Sequence, residues 1–247
     1  MNRLWKITMI AGILLGIGSF LVMVGYSATK SVVTTEEHEL EGEGNLEPLT
    51  DLILSKKANY GFVVLINSAH GGENQGNTVN ELKEKEITLE VGMTLEEMSQ
   101  EGGIGLFMIR QQDMDISNES RAEMIRKIRP DLVVDLHVNA DPANERTFGT
   151  SVVYNEMFYR PGITNAKLAD IMERNLVTQI QGKALGVFGD SQNKYPLLSM
   201  IQVPAVSVEL GYLTNKQEAN LLKKEKYQQK IADGIYKGIQ EIQEEMQ

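Results

Sequence analysis

Phe62-Val63-Val64-Leu65-Ile66 runs through Asn67-Ser68-Ala69 into His70-Gly71-Gly72. An apolar run of strand length opens here into a turn, where two glycines permit backbone angles closed to other residues. The same kind of run recurs at Leu132-Val133-Val134-Asp135-Leu136-His137-Val138, again with a histidine at its far end. Beyond Asp51, such runs alternate with segments of helical period, the pattern of an α/β fold with helices against a largely parallel sheet. The expected fold is a single α/β domain, a mostly parallel twisted sheet flanked by helices, preceded by an N-terminal transmembrane helix.

Working outward, Ile87, Val91, Leu95 and Met98 recur at helical spacing up to Gly102-Gly103, which puts Glu84 near the first turn of that helix. A strand is predicted over 106–109. Met124, Ile125 and Ile128 predict a short helix ended by Pro130, Thr150–Tyr154 a strand, and Leu168, Ile171, Met172 and Ile180 a longer helix. Pro204 opens Ala205-Val206-Ser207-Val208-Glu209-Leu210, whose alternation turns Val206, Val208 and Leu210 to one face and Glu209 to the other. Asn215 and Glu218 have the spacing of a capping box, and Tyr227, Ile231, Ile235, Ile239 and Ile242 form the stripe of a closing helix. Both of these helices are read as packing elements. By position, 141–165 and 182–200 are read as loops beside the cleft.

The chain has 247 residues, 42% hydrophobic, a formal charge of −10 and no cysteine. That length allows one sizeable catalytic domain. The charge argues against nucleic acid or an anionic membrane surface as the main electrostatic partner. Without thiols there is no disulfide, and any metal is held by imidazole and carboxylate. From Ile7 to Tyr26 there are twenty uncharged, mostly apolar residues, long enough to span a bilayer. Arg3 and Lys6 flank them on one side and Glu36, Glu37, Glu39, Glu41 and Glu43 follow on the other, so the positive-inside rule puts the rest of the chain outside the cytoplasm. The expected location is the cell membrane, single-pass, with secretion after signal cleavage as the alternative; Tyr26 interrupts the small-residue pattern such cleavage needs. The expected organisation is an anchor or signal segment over 1–29, an acidic linker over 30–57 that includes a solvated His38, and a catalytic domain over 58–245.

Two imidazoles on separate strand ends need one carboxylate to complete a three-ligand zinc site with an open position. Glu81, Glu84 and Glu86 all lie in one loop-to-helix transition, where acidic residues also suit the helix dipole, and local sequence does not choose among them. Glu209 is more pointed. A carboxylate within such an apolar strand is costly to bury unless paired, hydrogen-bonded or protonated, and a raised pKa suits a general base.

In order along the chain, His70-Gly71-Gly72, Leu82-Lys83-Glu84-Lys85, Arg110 with Asp113, Arg121, His137-Val138-Asn139-Ala140 and Pro204-Ala205-Val206-Ser207-Val208-Glu209-Leu210-Gly211-Tyr212-Leu213-Thr214-Asn215 resemble the zinc-dependent N-acetylmuramoyl-L-alanine amidases of the type-3 family. The resemblance spans about residues 60–243. It implies Glu84 as the third zinc ligand beside His70 and His137, Glu209 as the catalytic glutamate, and hydrolysis of the amide between N-acetylmuramic acid and L-alanine in peptidoglycan. Asn139 is a candidate for holding substrate or for capping a turn. Arg121 is a candidate for orienting a ligand carboxylate or for a surface charge. A single anchor followed by the catalytic domain resembles the spore-cortex amidases, and an activating protein partner is a further expectation. Two positions depart from the family: Asn67-Ser68-Ala69 stands for the usual Asp-x-Gly, and Asn74 for the aspartate after the two glycines. Other readings of the same residues are an inactive amidase-like domain that binds peptidoglycan or a partner, and a zinc peptidase acting on the stem peptide.

Overall fold

Strand β1 (Phe62–Ser68) is buried along its whole length. It lies between two parallel neighbours, β4 (Ile104–Met108) and β5 (Leu132–Asn139). On its other side β5 pairs in parallel with β10 (Ala205–Tyr212). There the direction reverses: β10 runs antiparallel to β6 (Thr150–Tyr154), and β6 runs parallel to the edge strand β9 (Ala184–Gly189). The six-stranded order is β4-β1-β5-β10-β6-β9, so the sheet is mostly parallel with one antiparallel junction. Two short ribbons, β2 (Thr78–Val79) with β3 (Leu82–Lys83) and β7 (Tyr159–Arg160) with β8 (Ile163–Thr164), stand apart from it. This computed structural model describes residues 45–100, 103–156 and 159–247. The predicted membrane segment and most of the acidic linker lie outside the described residues, among which no helix is long and apolar enough to cross a membrane.

Alternation along the strands divides the core into two layers. Phe62, Val64 and Ile66 of β1 pack with Ile87 and Val91 of α2 (Glu84–Glu96), Leu168 and Met172 of α4 (Asn165–Ile180), and Ile235 and Ile239 of α7 (Glu225–Met246). Val63 and Leu65 face the opposite layer, with Ile53 of α1 (Glu47–Lys57), Ile125 of α3 (Asn118–Ile128) and Leu198 of α5 (Pro196–Met200). Val133 of β5 and Ala205 of β10 turn to this second layer too. The same face therefore carries Asn67, Asp135 and Ser207, which sit opposite one another in register across β1, β5 and β10. One step further on, Glu209 pairs with His137. A polar row thus crosses the carboxyl ends of three parallel strands, where α/β sheets build their sites.

The helix ends follow local chemistry. Ser117 caps α3 by accepting from the Ser120 N–H, and Arg129 ends it at φ 50°, just before Pro130. Thr164 caps α4 in the same way. Asn215 caps α6 (Lys216–Leu222), accepting from Gln217 and Glu218 N–H.

Four expectations are corrected. The last eleven residues of the expected linker form α1, which buries Ile53 against α3 through a Pro-initiated turn. The expected loops over 141–165 and 182–200 hold ordered elements, β6, β7 and β8 in the first and strand β9 and helix α5 in the second; β9 is a half-exposed edge strand with Gly186 at φ 108°, so it lacks an apolar signature. The predicted 106–109 strand begins two residues earlier and ends one earlier, at Ile104–Met108. Glu218 does not close a capping box: its carboxylate accepts from the N–H groups of Gly149 and Tyr212, tying the start of β6 to the end of β10.

Candidate active site

His70 follows β1, Glu84 opens α2, and His137 lies in β5. The fold brings one ligand atom from each to within 4.8 Å of the others, a group able to hold a metal ion. His70 Nε2 is 3.2 Å from Glu84 Oε2, and His137 Nδ1 is 3.0 Å from Glu84 Oε1. Each ring has its other nitrogen on an acceptor. His70 Nδ1 lies 2.9 Å from Asn74 Oδ1, and His137 Nε2 lies 3.0 Å from Asp135 Oδ2. With protons there, both rings turn lone pairs toward the Glu84 carboxylate, an arrangement that a cation between them satisfies. Two neutral imidazoles and a carboxylate are the donor set of an open zinc site.

Glu84 is almost fully buried. Burial works to raise its pKa, but hydrogen bonds and charge from His137 and His70 hold it far below the carboxylate range. It also accepts from Asn77 N–H at 2.8 Å and Val138 N–H at 3.0 Å. Burial opposes charge on His137, yet Asp135 and Glu84 hold its imidazole well above the ordinary value. Gly76, at φ +66°, passes so close that a Cβ would come within 2.5 Å of His70 Cδ2 and 2.6 Å of Glu84 Oε2.

Behind the ligands lies a buried polar layer. Asp135 is buried and accepts from Asn67 Nδ2 and Ser207 Oγ, each at 2.7 Å. Arg121 is no surface charge: it is 2% exposed and donates to Asn67 Oδ1, to the Ser68 carbonyl at 3.2 Å and to the His70 carbonyl at 2.8 Å. Desolvation drops its pKa to about 10. Its partners are an amide and main-chain carbonyls, so it orients the His70 turn and reaches Asp135 through Asn67. Arg110, also buried, donates to the carbonyls of Ser68, Ala69 and Lys85. Lys85 donates to the Gly72 carbonyl and to Asp113, which in turn accepts from the Gly72 N–H. These contacts fix the turn that presents His70.

Glu209 is 3% exposed. Its Oε1 accepts the Tyr195 hydroxyl, and among the described residues its Oε2 has no hydrogen-bond partner. Burial raises its pKa, with the His137 charge and the Tyr195 hydrogen bond offsetting part of the rise. A cavity of about 360 Å³ is lined by His70, Asn74, Asp135, His137, Lys194 and Tyr195 among others. Asn139, like Glu84 and Glu209, is not in that lining. Its Oδ1 accepts from the Ala140 N–H and its Nδ2 reaches Tyr212 OH at 3.4 Å, the contacts of a residue that holds the turn after β5. Sequence reasoning passed over Asp135, Asn77, Ser207 and Tyr195. The available signal for Asp135 was a lone carboxylate two residues before His137 in an apolar strand.

Residues 64–241 match the family described as N-acetylmuramoyl-L-alanine amidase. The chain is 32% identical over 179 residues to the protein YqiI of Bacillus subtilis (strain 168), covering 72% of this chain and 84% of that one. It is 30% identical over 196 residues to the germination-specific N-acetylmuramoyl-L-alanine amidase of the same strain, covering 72% and 78%. Among solved structures, its fold is shared by the N-acetylmuramoyl-L-alanine amidase from Clostridium difficile 630, with TM-score 0.67 and 24% identity over 74% of this chain and 97% of that one. The CwlD amidase from Clostridioides difficile, solved in complex with the GerS lipoprotein, matches with TM-score 0.64 and 22% identity over 74% and 99%. By this family match and the relatives that accompany it, the chain belongs to the N-acetylmuramoyl-L-alanine amidases.

Proposed function

We propose that this chain is a zinc-dependent hydrolase that cuts the amide between N-acetylmuramic acid and L-alanine in peptidoglycan, in remodelling of the cell wall or spore cortex. The observation that carries the reading is the convergence of His70, Glu84 and His137 ligand atoms within 4.8 Å, beside a buried glutamate with a free oxygen. Zinc on those three residues would supply a Lewis acid that polarises the scissile carbonyl and lowers the pKa of water. The chain's own groups do the rest. Asn74 and Asp135 hold the two rings in the tautomers that leave His70 Nε2 and His137 Nδ1 as donors to a metal. Glu209 takes a proton from the attacking water and delivers it to the nitrogen of L-alanine, so the carbon–nitrogen bond breaks to a lactyl carboxylate and a free amine.

The apolar run from Ile7 to Tyr26, with Arg3 and Lys6 before it and glutamates after it, supports a chain held to the membrane by residues 1–29, with its catalytic part outside the cytoplasm, where peptidoglycan lies. A protein activator belongs to the same reading; the CwlD amidase, whose fold this chain shares, was solved with a lipoprotein. The test is incubation of the protein with purified peptidoglycan and zinc, beside Glu209→Gln, with released stem peptides identified by mass. Free L-alanine amino termini from the wild type alone support the reading. Cleavage inside the stem moves the activity to a peptidase, and zinc binding without release moves it to a binding domain or to an enzyme that awaits its activator or a modified substrate.

A further inference from the structure

Tyr195 stands between the β9 edge strand and α5, in a stretch with no sequence motif. It is 6% exposed, forms part of the cavity wall, and sets its ring edge-on to that of His137, centroids 5.2 Å apart and planes at 83°. Among the described residues its hydroxyl is the one donor to the Glu209 carboxylate, and it takes only Oε1. The backbone around it is anchored. Asp190 accepts from the N–H groups of Lys194 and Tyr195 at 2.8 and 3.0 Å, and the Asp190 N–H donates to the Tyr154 carbonyl of β6 at 2.9 Å. The Tyr195 carbonyl then accepts from Leu198 N–H as α5 begins.

We propose that Tyr195 is a positioning residue for hydrolysis: its hydroxyl pins one oxygen of Glu209, so that the unpartnered oxygen is the one presented for proton transfer. This rests on the reading of Glu209 as the general base. A carboxylate turns readily about its last bond, and either oxygen otherwise serves as acceptor at a range of angles. Tyr195 removes that freedom from a frame fastened to the sheet edge by Asp190. Displacements of about 1 Å in a reacting group cost roughly a hundredfold in rate, so a hydroxyl acting through Glu209 affects turnover rather than substrate affinity.

The test uses the full-length chain loaded with zinc in detergent micelles, compared with Tyr195→Phe, which keeps the ring against His137 and loses only the oxygen. The expected result is a fall in kcat of about 10- to 100-fold, with KM and zinc stoichiometry unchanged and a lower melting temperature, because Glu209 Oε1 loses its buried donor. Asp190→Ala, which loosens the frame without touching Glu209, is expected to lower kcat in the same KM-independent way and covers the case in which Tyr195→Phe does not fold. A readout free of activity is the Tyr195 Cζ resonance in ring-labelled protein, identified by its loss in Tyr195→Phe and expected to move in Glu209→Gln. Wild-type kcat in both variants, or a rise in KM at constant kcat, overturns the role. An unmoved Cζ resonance overturns the contact. A zinc-loaded wild type that releases nothing overturns the reading of this chain as an amidase active without a partner, and the positioning role in that state with it, while the Cζ shift still reports the contact.

Discussion

Asn67 and Asn74 stand where the family resemblance leads one to expect aspartates, and the two amides do different work. Asn74 keeps an oxygen on His70 Nδ1 and so preserves the orientation of that ring. Asn67 both accepts from Arg121 and donates to Asp135, which a carboxylate cannot do. The negative charge missing at 67 is present across the strand pair at Asp135, its partner in register. Asn67→Asp would therefore face two carboxylates within hydrogen-bond distance, and the variant is expected to lose about 1–3 kcal/mol of stability at neutral pH. One of the pair would take up a proton in the folded state above the unfolded pKa, so stability returns as pH falls; urea denaturation at pH 7 and pH 5 checks this, and equal losses at both would contradict it. Glu209 gives the activity a defined acid limb. The base must be ionised, burial raises its pKa, and kcat is expected to fall with decreasing pH at values above the ~4.3 of an exposed glutamate. A kcat profile flat down to pH 4.5 would remove Glu209 from that role. His70, His137 and Glu209 were legible because each interrupts or ends an apolar run. Asp135 also interrupts an apolar run, but its partners lie 68 and 72 residues away, and Tyr195 owes its importance to a partner 14 residues away that no local pattern displays.

At the scale of elements, runs buried on both faces were read most directly: β1, β5, β6 and β10 lie where their apolar patterns put them. β9 escaped because an edge strand with a half-exposed pattern and a glycine at positive φ needs no apolar run. Helix α1 escaped because its flank is acidic and its buried side is narrow, chiefly Thr50 and Ile53. Helix α6 was read as packing, yet its Glu218 fastens two strands at the edge of the site. That carboxylate is 7% exposed and supplies the acceptors for Gly149 and Tyr212 N–H at 3.0 and 2.7 Å. Gly211, at φ +149°, allows the approach, since a Cβ there would sit 2.8 Å from Glu218 Cδ. Glu218→Ala leaves two sheltered N–H groups without partners, each costing about 1–3 kcal/mol. Urea denaturation is expected to show a loss in that range or above; a change under about 0.5 kcal/mol, the size of a neutral surface substitution, would mean that water takes over both groups.

Across the whole molecule, one sheet separates two unlike tasks. The layer of α2, α4 and α7 is continuous core, whereas on the opposite face the apolar side chains of β1, β5 and β10 give way to Asn67, Asp135, Ser207 and Glu209 toward the strand ends. His70, Glu84 and His137 come from the end of one strand, the start of a helix and a neighbouring strand, so a shared metal would cross-link three elements of the native state that are far apart in the unfolded chain. Binding to the folded state alone stabilises by RT ln(1 + [L]/Kd), about 2.7 kcal/mol at a free concentration of 100 Kd. For a domain of this size each kcal/mol raises Tm by about 2–4 °C. Zinc is therefore expected to raise the melting temperature by roughly 5–10 °C, and a chelator to reverse the rise and stop peptide release together. His137→Ala is expected to abolish the zinc-dependent shift, while Glu209→Gln keeps it and loses turnover. Loss of the shift in Glu209→Gln would instead make Glu209 part of the metal site and leave the proton transfer to another group.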